Sequence, residues 1–340
     1  MKILVHSHNY LREGAQIILF RLVRDLVKRH EIHLVRLIGR PGEPLIAEYE
    51  KLGARFVERV SMRDYDVLLC NTITASKVVS RAAGRCPVLW WIHEPKFGRL
   101  YMEMPTFRFD AYSKADRIVF PTRWQADTLY AKHLKSDNWT VVPYGIGMDL
   151  SAQPAPFERV PGKFYLLHLG RVDRRKGQDL SALALKHLNN PDIRLVCVGN
   201  RPTDDPYCTK LDAIGADIVY TGNVGEAEVA AYIQHCDAMV FPTRDDLITL
   251  AILEGLSFSK CVLASNFGPI PETIRHGETG LLSPVGDWQT LAGNIRMIFE
   301  DRDLMTRLGR RGRRILERKH SFTAHVDGME AALTQIARLR

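Results

Sequence analysis

The feature that most constrains this chain is an alternation of short apolar runs with helical segments in both halves of the sequence. In the first half, apolar runs predict strands at 2–7, 32–38, 65–70, 88–92, 117–120 and 140–142. In the second half, the same pattern predicts strands at 164–169, 194–198, 218–220, 238–241 and 261–264. Because helical segments separate these strands, the order predicts two doubly wound parallel sheets of an α/β protein.

Chain length and a break in the alternation divide the sequence into two predicted domains. The chain has 340 residues, against roughly 100–200 for a single domain. Residues 149–163 hold three prolines and no apolar period, which is typical of a linker. We predict a Rossmann-like domain at 1–150, a linker at 151–163, a second Rossmann-like domain at 164–320, and a helical tail at 321–340. The tail could pack on either domain.

Sequence similarity between two segments of the chain supports a duplicated architecture. Residues 116–123 read DRIVFPTR and residues 237–244 read DAMVFPTR, so six of the eight positions are identical. Each segment places Pro-Thr-Arg directly after a predicted strand. Chance similarity between two apolar strands is the alternative explanation.

Composition and cysteine usage exclude several protein classes. The longest uncharged apolar stretches run to about seven residues, far below the ~20 that a membrane-spanning helix needs. Residues 1–9 lead straight into a strand without the apolar core of a signal peptide, so we expect a cytoplasmic protein. None of the six cysteines forms a Cys-x-x-Cys pair, which argues against zinc ribbons and thioredoxin-like sites. We expect reduced cysteines that pack as small apolar side chains.

The net charge of +8 is concentrated in the first half of the chain. Residues 1–150 contain 23 Lys/Arg against 16 Asp/Glu, and residues 301–319 contain eight positive and three negative side chains. Basic surfaces attract nucleic acid, anionic lipid or phosphorylated substrates. The sequence has no helix-turn-helix, zinc-finger or RNP signature, so we expect no nucleic-acid partner. Loose peripheral attachment to an anionic membrane is one hypothesis, and an ordinary solvated surface is the other.

A basic turn at 168–177 (HLGRVDRRKG) lies between a predicted strand and a predicted helix. Gly170 permits a tight turn. Arg171 and Lys176 place two cations beside a helix N-terminus, where unpaired N–H groups also favour anions. The turn matches neither the P-loop nor the Gly-x-Gly-x-x-Gly pattern. It predicts a diphosphate site, with a basic surface turn as the alternative.

A second stretch, residues 245–255 (DDLITLAILEG), places two carboxylates eight residues apart around an apolar segment. We expect Asp246 near the start of a buried helix and Glu254 two turns further along. Burying a glutamate costs free energy unless it has hydrogen-bond partners. Sugar hydroxyls are suitable partners, and neighbouring protein groups are the alternative.

Taken together, residues 164–177, 241–255 and 268–284 resemble the family 4 retaining glycosyltransferases of GT-B fold. The family's hallmarks are a Gly-Arg-x4-Lys-Gly turn, a Glu-x7-Glu stretch, in which Asp246 stands here in place of the first Glu, and a later Pro-Glu before a glycine-containing turn. The segment 8–16, which contains Gly14, looks like the family's first loop, and 142–149 looks like its pre-linker segment. The resemblance implies two Rossmann-like domains that face a central cleft.

The resemblance also implies roles for individual residues. The second domain would hold a nucleotide-sugar donor, with Arg171 and Lys176 on the diphosphate, Glu254 on the ribose hydroxyls and Asp246 facing the transferred sugar. His93, at a strand end in WIHEP, matches the family's active-site histidine of the acceptor-side domain. The implied catalytic residues are His93, Arg171, Lys176 and Asp246. The implied nucleotide-sugar-binding residues are Gly14, Gly170, Arg171, Lys176, Leu247, Ile248, Thr249, Leu250 and Glu254.

This sequence departs from the family pattern at two loops. The first loop has Glu13-Gly14 where the family has two glycines. Residues 247–250 read LITL where the family has Gly-Phe-Gly-Leu. Side chains narrow a site that glycines would leave open. The motif therefore leaves the identity of the donor sugar open, and a weak or inactive member is an alternative.

From these features we predict transfer of a hexosyl group from a nucleotide diphosphate sugar to an acceptor hydroxyl, with retention of configuration. The acceptor would be a glycan, a glycolipid or a lipid-linked sugar. We expect no metal or other cofactor, because no cluster has metal-ligand spacing and the two cations already neutralise the leaving group. The alternatives are another GT-B enzyme, such as an epimerase or phosphorylase, and a non-catalytic nucleotide-sugar-binding protein.

Overall fold

The computed structural model describes residues 1–36, 42–135, 137–247 and 249–338, which divide into two compact units. The first unit comprises Met1–Gly145 and Phe322–Arg340, and the second comprises Ile146–Ser321. Residues 151–163, where we predicted a linker, lie in the second unit and contain neither helix nor strand. The C-terminal segment forms a helix that belongs to the first unit.

The first unit contains, within the described residues, a seven-stranded sheet whose neighbouring strands are all parallel. Its strands are β1 (Lys2–His6), β2 (Glu31–Val35), β3 (Arg55–Val57), β4 (Val67–Asn71), β5 (Val88–Trp91), β6 (Arg117–Phe120) and β7 (Trp139–Val141). Their spatial order is β3-β2-β1-β4-β5-β6-β7. Apolar runs predicted every strand except β3, a three-residue edge strand with no buried residue. The predicted strand at 32–38 ends at Val35, and its positions 37 and 38 lie outside the described residues.

The second unit contains a six-stranded sheet, again with parallel neighbours throughout the described part of the chain. Its strands are β8 (Phe164–Leu169), β9 (Ile193–Val198), β10 (Ile218–Gly222), β11 (Ala238–Phe241), β12 (Cys261–Ser265) and β13 (Leu281–Ser283). Their spatial order is β10-β9-β8-β11-β12-β13. The prediction of two parallel sheets, one in each half, is confirmed, although the edge strand β13 was not predicted.

Helices connect the strands and cover both sheets. In the described residues they are α1 (Gly14–Leu26), α2 (Pro44–Lys51), α3 (Ser76–Ala82), α4 (Arg99–Met102), α5 (Ala111–Lys114), α6 (Arg123–Gln125), α7 (Gln178–Leu188), α8 (Pro206–Asp212), α9 (Glu226–His235), α10 (Leu250–Ser257), α11 (Trp288–Glu300), α12 (Arg302–Lys319) and α13 (Phe322–Ala337). Strands covered on both faces should be apolar throughout. In β8, the residues Phe164, Tyr165, Leu166 and Leu167 are all buried, as that arrangement requires.

Strand order fixes where a ligand can approach each sheet. In the second unit β8 has β9 on one side and β11 on the other, so the chain reverses its direction of winding between β8 and β11. In the first unit the same reversal lies between β1 and β4. Loops that leave the carboxyl ends of such strands diverge and form a crevice, which is where open α/β sheets bind ligands. The basic turn follows β8, and the segment with Asp246 follows β11.

The six cysteines are all buried and free. Burial raises the pKa of both Cys236 and Cys261 to about 12, so both thiols are protonated at neutral pH. Their role as small apolar side chains agrees with the prediction of reduced cysteines.

Candidate functional site

The basic turn of the second unit is built on close backbone contacts that only glycine allows. Gly170 has a φ of +147°, and its N–H donates to the Val198 carbonyl at 2.8 Å. Gly199, at the end of β9, has a φ of +141°, and a Cβ atom there would lie 2.4 Å from the Gly170 carbonyl oxygen. The ends of β8 and β9 therefore pack backbone against backbone. We predicted from the sequence that Gly170 belongs to the site, but we did not predict the role of Gly199.

Gly177 closes the turn and begins α7. It has a φ of +79°, and a Cβ atom there would lie 2.1 Å from the Pro242 carbonyl oxygen. The neighbouring Arg175 carbonyl accepts hydrogen bonds from the Thr243 hydroxyl at 2.9 Å and from the Arg244 N–H at 2.8 Å. The Pro-Thr-Arg segment after β11 thus holds the basic turn from the opposite side.

Arg244 also fixes the start of α7 through a half-buried charge network. Its guanidinium donates two hydrogen bonds to the Asp179 carboxylate, at 2.8 and 2.7 Å, and a third to the Arg174 carbonyl at 2.8 Å. Tyr207 donates to the same carboxylate at 2.8 Å. Burial alone would raise the pKa of Asp179, but the hydrogen bonds from Arg244 and Tyr207 outweigh it and lower that pKa. Bidentate pairing of this kind restricts both partners to one geometry.

The central feature of the site is a contact between Lys176 and Asp246. The Lys176 Nζ lies 2.5 Å from Asp246 Oδ2, and Arg175 Nη1 lies 3.3 Å from the same oxygen. The other carboxylate oxygen, Oδ1, accepts the Leu247 N–H at 3.1 Å. Asp246 is only 8% exposed. The structure therefore brings Lys176, which we predicted for the diphosphate, together with Asp246, which we predicted for the transferred sugar.

Arg175 is a cation of this cluster that sequence reasoning missed. The run Arg174-Arg175-Lys176 offered three adjacent cations, but the motif singled out only Arg171 and Lys176. Arg171 is exposed, and its guanidinium forms no ion pair with any described residue. Its carbonyl accepts the Gln178 side-chain amide at 2.9 Å, which ties the start of the turn to α7.

The segment after β11 differs from the prediction at its helix boundary. We expected Asp246 near the start of a helix, whereas α10 begins at Leu250. Thr249 caps this helix, because its hydroxyl accepts the Ile252 N–H at 3.2 Å, and Asp246 therefore lies in the preceding loop. Leu247 is buried, and Ile248 lies outside the described residues. Glu254 is buried on α10 at 6% exposure.

A buried histidine that we did not predict lies in β8 beside this cluster. His168 is fully buried, its ring centroid lies 5.8 Å from that of Phe241, and neither ring nitrogen has a hydrogen-bond partner among the described residues. Burial, and next the charge of Lys176, lower the pKa of His168 to about 3. The imidazole is therefore neutral at physiological pH and adds no charge to the site.

His93 lies directly beyond β5 in the first unit and is held on both ring nitrogens. Nε2 lies 2.7 Å from the Asn71 carbonyl oxygen Oδ1, and Nδ1 lies 2.7 Å from the Tyr144 hydroxyl. Because a carbonyl oxygen only accepts, Nε2 carries the proton and Nδ1 accepts from Tyr144. Burial, followed by His325 and His8, lowers the pKa of His93 to about 3. His93 is thus a neutral, fixed imidazole.

Glu94 is a second group beside His93, and we did not predict it from the sequence. One oxygen of Glu94, Oε2, accepts the N–H groups of Ile73 at 2.9 Å and His93 at 3.0 Å. The residue is partly exposed, but its carboxylate is enclosed, and burial raises its pKa to about 7. Thr72, with a φ of +73°, bonds through its hydroxyl to His8 Nδ1 at 3.0 Å. A non-glycine residue in this strained conformation is often found at functional sites.

The pKa of Glu94 predicts a dependence of stability on pH. The unfolded carboxyl has the ordinary pKa of 4.5, and the folded one titrates at about 7, so the folded state binds the proton more tightly. The stabilisation is complete below about pH 4.5 and is lost as pH rises through about 7. In urea unfolding from about pH 5 to about pH 8, Glu94→Gln should flatten this fall in the free energy of unfolding.

The matched control for this pH prediction is Glu103→Gln, which changes an exposed carboxylate of the same unit. It should retain the wild-type slope. Equal slopes for wild type and Glu94→Gln would contradict the assignment.

Gly14 is the last predicted site residue of the first unit. It begins α1, and a Cβ atom there would meet no atom within 4 Å. No close contact in the structure requires a glycine at this position. Across the described residues, no group of three or more His, Cys, Asp or Glu side chains is arranged to hold a metal ion.

Comparison with known families identifies the second unit. Residues 151–315 match the family model of glycosyl transferases group 1. The matched residues make up most of the second unit. The match includes the basic turn, the Lys176–Asp246 contact and Glu254.

Individual relatives match mainly this domain. A sulfoquinovosyl transferase of Arabidopsis thaliana is 28% identical over 163 residues, which are 46% of this chain and 31% of that protein. A D-inositol 3-phosphate glycosyltransferase of Arthrobacter is 30% identical over 206 residues, 55% of this chain and 48% of that protein. The chain thus covers less than half the length of these relatives.

Solved structures extend the likeness to the whole fold. Anabaena HepE in complex with UDP-glucose has a TM-score of 0.82 at 17% identity, and the match covers 98% of this chain and all of the other. Sucrose-phosphate synthase of Thermosynechococcus elongatus has a TM-score of 0.78 at 16% identity, and the match covers both chains completely. Together with the two parallel sheets, these structures assign the GT-B fold.

Proposed function

We propose that this protein is a glycosyltransferase that moves a hexosyl group from a nucleotide diphosphate sugar to an acceptor hydroxyl. The observation that carries the proposal is the contact between Lys176 and Asp246 at the carboxyl ends of β8 and β11. It lies where the sheet order reverses, within a domain of the glycosyl transferases group 1 family. A cation for the leaving diphosphate and a carboxylate for the sugar then stand side by side.

In this proposal, Asp246 holds Lys176 and Arg175 until the donor arrives. The diphosphate carries more negative charge than one carboxylate and takes over both cations, with Arg171 adding a third from the exposed start of the turn. Asp246 is released to accept hydrogen bonds from sugar hydroxyls, and Glu254 accepts from the ribose. Gly170 lets the backbone of the turn approach the phosphates closely.

The chemical step breaks the bond between the anomeric carbon and the diphosphate oxygen and forms a bond to the acceptor oxygen. The acceptor proton passes to the departing diphosphate when the acceptor attacks from the same face, which retains the anomeric configuration. Lys176 and Arg175 stabilise the charge that develops on the leaving group, and fixed cations of this kind account for much of the rate in such reactions. This charge compensation leaves no requirement for a divalent metal.

The first unit is proposed to bind the acceptor, which we assign to glycans, glycolipids or lipid-linked sugars. Neutral His93 would act there as a fixed hydrogen-bonding group rather than as a proton donor, since its pKa is about 3. A relative named for a phosphatidylinositol monomannoside, which is a glycolipid, supports an acceptor of this class. We place the reaction in the cytoplasm.

The proposal is tested by a thermal-shift screen with UDP-, GDP-, ADP- and dTDP-sugars, each with and without EDTA. A ligand at 100 times its Kd stabilises the folded state by about 2.7 kcal/mol. One donor series should raise the unfolding temperature of the wild type and of Lys210→Ala, which changes an exposed lysine on α8, but not that of Lys176→Ala. No shift with any nucleotide sugar would overturn the proposal.

The buried Leu247, in a loop where related enzymes carry glycine, favours a second candidate, a non-catalytic nucleotide-sugar-binding protein. The two candidates differ in turnover. Release of nucleoside diphosphate from a bound donor identifies an enzyme, whereas binding without release identifies a binding protein.

A further inference from the structure

The segment 96–109 of the first unit concentrates exposed apolar side chains. Phe97, Leu100, Met104 and Phe109 are between 45% and 57% exposed. They are four of the ten large apolar side chains exposed among the described residues, yet they lie within 13 positions. Single exposed apolar side chains are normal on a protein surface, but a contiguous group marks an interaction site.

The exposed apolar side chains of this segment lie on or beyond a short helical stretch. A short 3-10 turn at Lys96–Gly98 leads directly into α4, so Phe97 and Leu100 are about one helical turn apart, and Met104 lies two residues beyond the end of α4. Gly98 faces the protein instead, where a Cβ atom would lie 2.2 Å from the Glu94 Cβ. Further along, Tyr112 donates a hydrogen bond to the Met102 sulfur at 3.8 Å. Gly98 and Met102 therefore hold the segment against the rest of the unit, while Phe97, Leu100 and Met104 remain exposed.

Three basic side chains and one acidic side chain, Glu103, are exposed in the same segment. Lys96, Arg99 and Arg108 are exposed and form no ion pair with any described residue. The ring centroid of Phe109 lies 5.4 Å from that of His133, whose pKa is lowered by burial and then by the charges of Lys132 and Arg99. Arg99 and Lys132 therefore lie near the same ring. The nearby acidic Asp110 is already paired with Lys114, at 2.7 Å.

We propose that residues 96–109 form a membrane-interface surface that binds anionic lipid bilayers. Apolar side chains beside basic ones fit the boundary between acyl chains and negatively charged headgroups. A nucleic acid would be bound by cations and by aromatic side chains that stack on its bases, and it would not require exposed Leu100 and Met104. The surface goes beyond the proposed sugar transfer and does not depend on it, although it favours a lipid-linked acceptor.

The basic helix α12 offers a contrast within the same chain. Arg307, Arg310, Arg311, Arg314 and Arg318 recur at helical spacing and are all exposed, but no large apolar side chain of this helix is. Charge alone binds bilayers weakly and is screened by salt. No helix among the described residues has the length and apolar character to cross a bilayer. Membrane binding through 96–109 is therefore interfacial.

Co-sedimentation of the full chain with vesicles, without any nucleotide sugar, tests this surface. The vesicles are phosphatidylcholine alone, or phosphatidylcholine with about 30% phosphatidylglycerol, each at low and high salt. Wild type should bind the anionic vesicles at least about tenfold more tightly than the neutral ones, and high salt should weaken but not abolish that binding. Because no donor is present, failure here leaves the proposed sugar transfer untouched.

Three variants locate the surface. Phe97→Ser/Leu100→Ser/Met104→Ser should lower vesicle binding at least about tenfold at both salt concentrations. Lys96→Gln/Arg99→Gln/Arg108→Gln should lower it mainly at low salt. The control Val219→Ser/Val285→Ser/Met297→Ser, which removes exposed apolar side chains from the second unit, should bind as wild type does.

Thermal unfolding of each variant verifies that it is folded. Wild-type binding by the first variant, or equal binding of wild type to both vesicle types, would overturn the proposal. So would concentration-dependent dimerisation of wild type that only the first variant loses, because the surface would then bind a second copy of the chain.

Discussion

Replacing Lys176 with alanine is expected to lower kcat/KM for sugar transfer by about 10²-fold or more while the protein remains folded. Lys176 lies in the turn between β8 and α7, and its ammonium is the cation in closest contact with Asp246, at 2.5 Å. In the proposed reaction this charge meets the departing diphosphate, where negative charge increases most. The measurement is the rate of nucleoside diphosphate release with the donor that the thermal-shift screen identifies.

Lys210→Ala is the control for Lys176→Ala, because it removes an exposed lysine of the same unit. It should keep wild-type turnover. Both variants should unfold cooperatively near the wild-type temperature. Near-normal turnover by folded Lys176→Ala would remove Lys176 from the mechanism.

Replacing Asp246 with asparagine is expected to change transfer and nucleotide binding in opposite directions. The shape of the side chain is kept, but the charge that accepts from sugar hydroxyls is lost, so transfer should fall by roughly 10- to 100-fold. At the same time Lys176 and Arg175 lose the carboxylate that occupies them in the free protein. A bare nucleoside diphosphate should therefore bind about two- to tenfold more tightly, as measured by calorimetry.

Glu254→Gln provides the comparison for Asp246→Asn. Glu254 lies on α10, eight residues beyond Asp246, and is proposed to accept from the ribose. Its replacement should weaken binding of the bare nucleotide as well as of the intact donor. If Asp246→Asn weakens the bare nucleotide as much as Glu254→Gln does, Asp246 is not the group that faces the sugar.

Most strands of the two sheets could be predicted because each is a continuous apolar run in the sequence. Strands covered on both faces must be apolar throughout, so runs such as 164–169 and 238–241 are visible without any knowledge of their neighbours. The short edge strand Arg55–Val57 lacks this signal, since none of its residues is buried. Helix ends were less predictable. Thr249 sets the start of α10 by capping it, and an apolar pattern alone does not reveal which of several polar residues is the cap.

Only part of the candidate site could be predicted from the sequence, because several of its contacts join segments that are far apart along the chain. Lys176 and Asp246 were each identified from motifs, but their direct contact spans 70 positions and depends on β8 and β11 being neighbours. The Gly170 carbonyl leaves no room for a side chain at Gly199, and the Arg244 guanidinium donates a hydrogen bond to Asp179. Neither contact produces a periodic pattern in the sequence. Enclosure of the Glu94 carboxylate likewise follows from tertiary packing rather than from its neighbours in WIHEP.

The proposed hexosyl transfer is tested most directly by following one donor with proton NMR. The protein is incubated with the nucleotide sugar that stabilises it most, in buffer without acceptor or metal, so that water serves as the acceptor. We predict slow formation of nucleoside diphosphate and free hexose in equal amounts, with the hexose first appearing in the anomeric configuration of the donor. A donor that stays intact, or a sugar that epimerises while still attached to the nucleotide, would contradict hexosyl transfer by this protein.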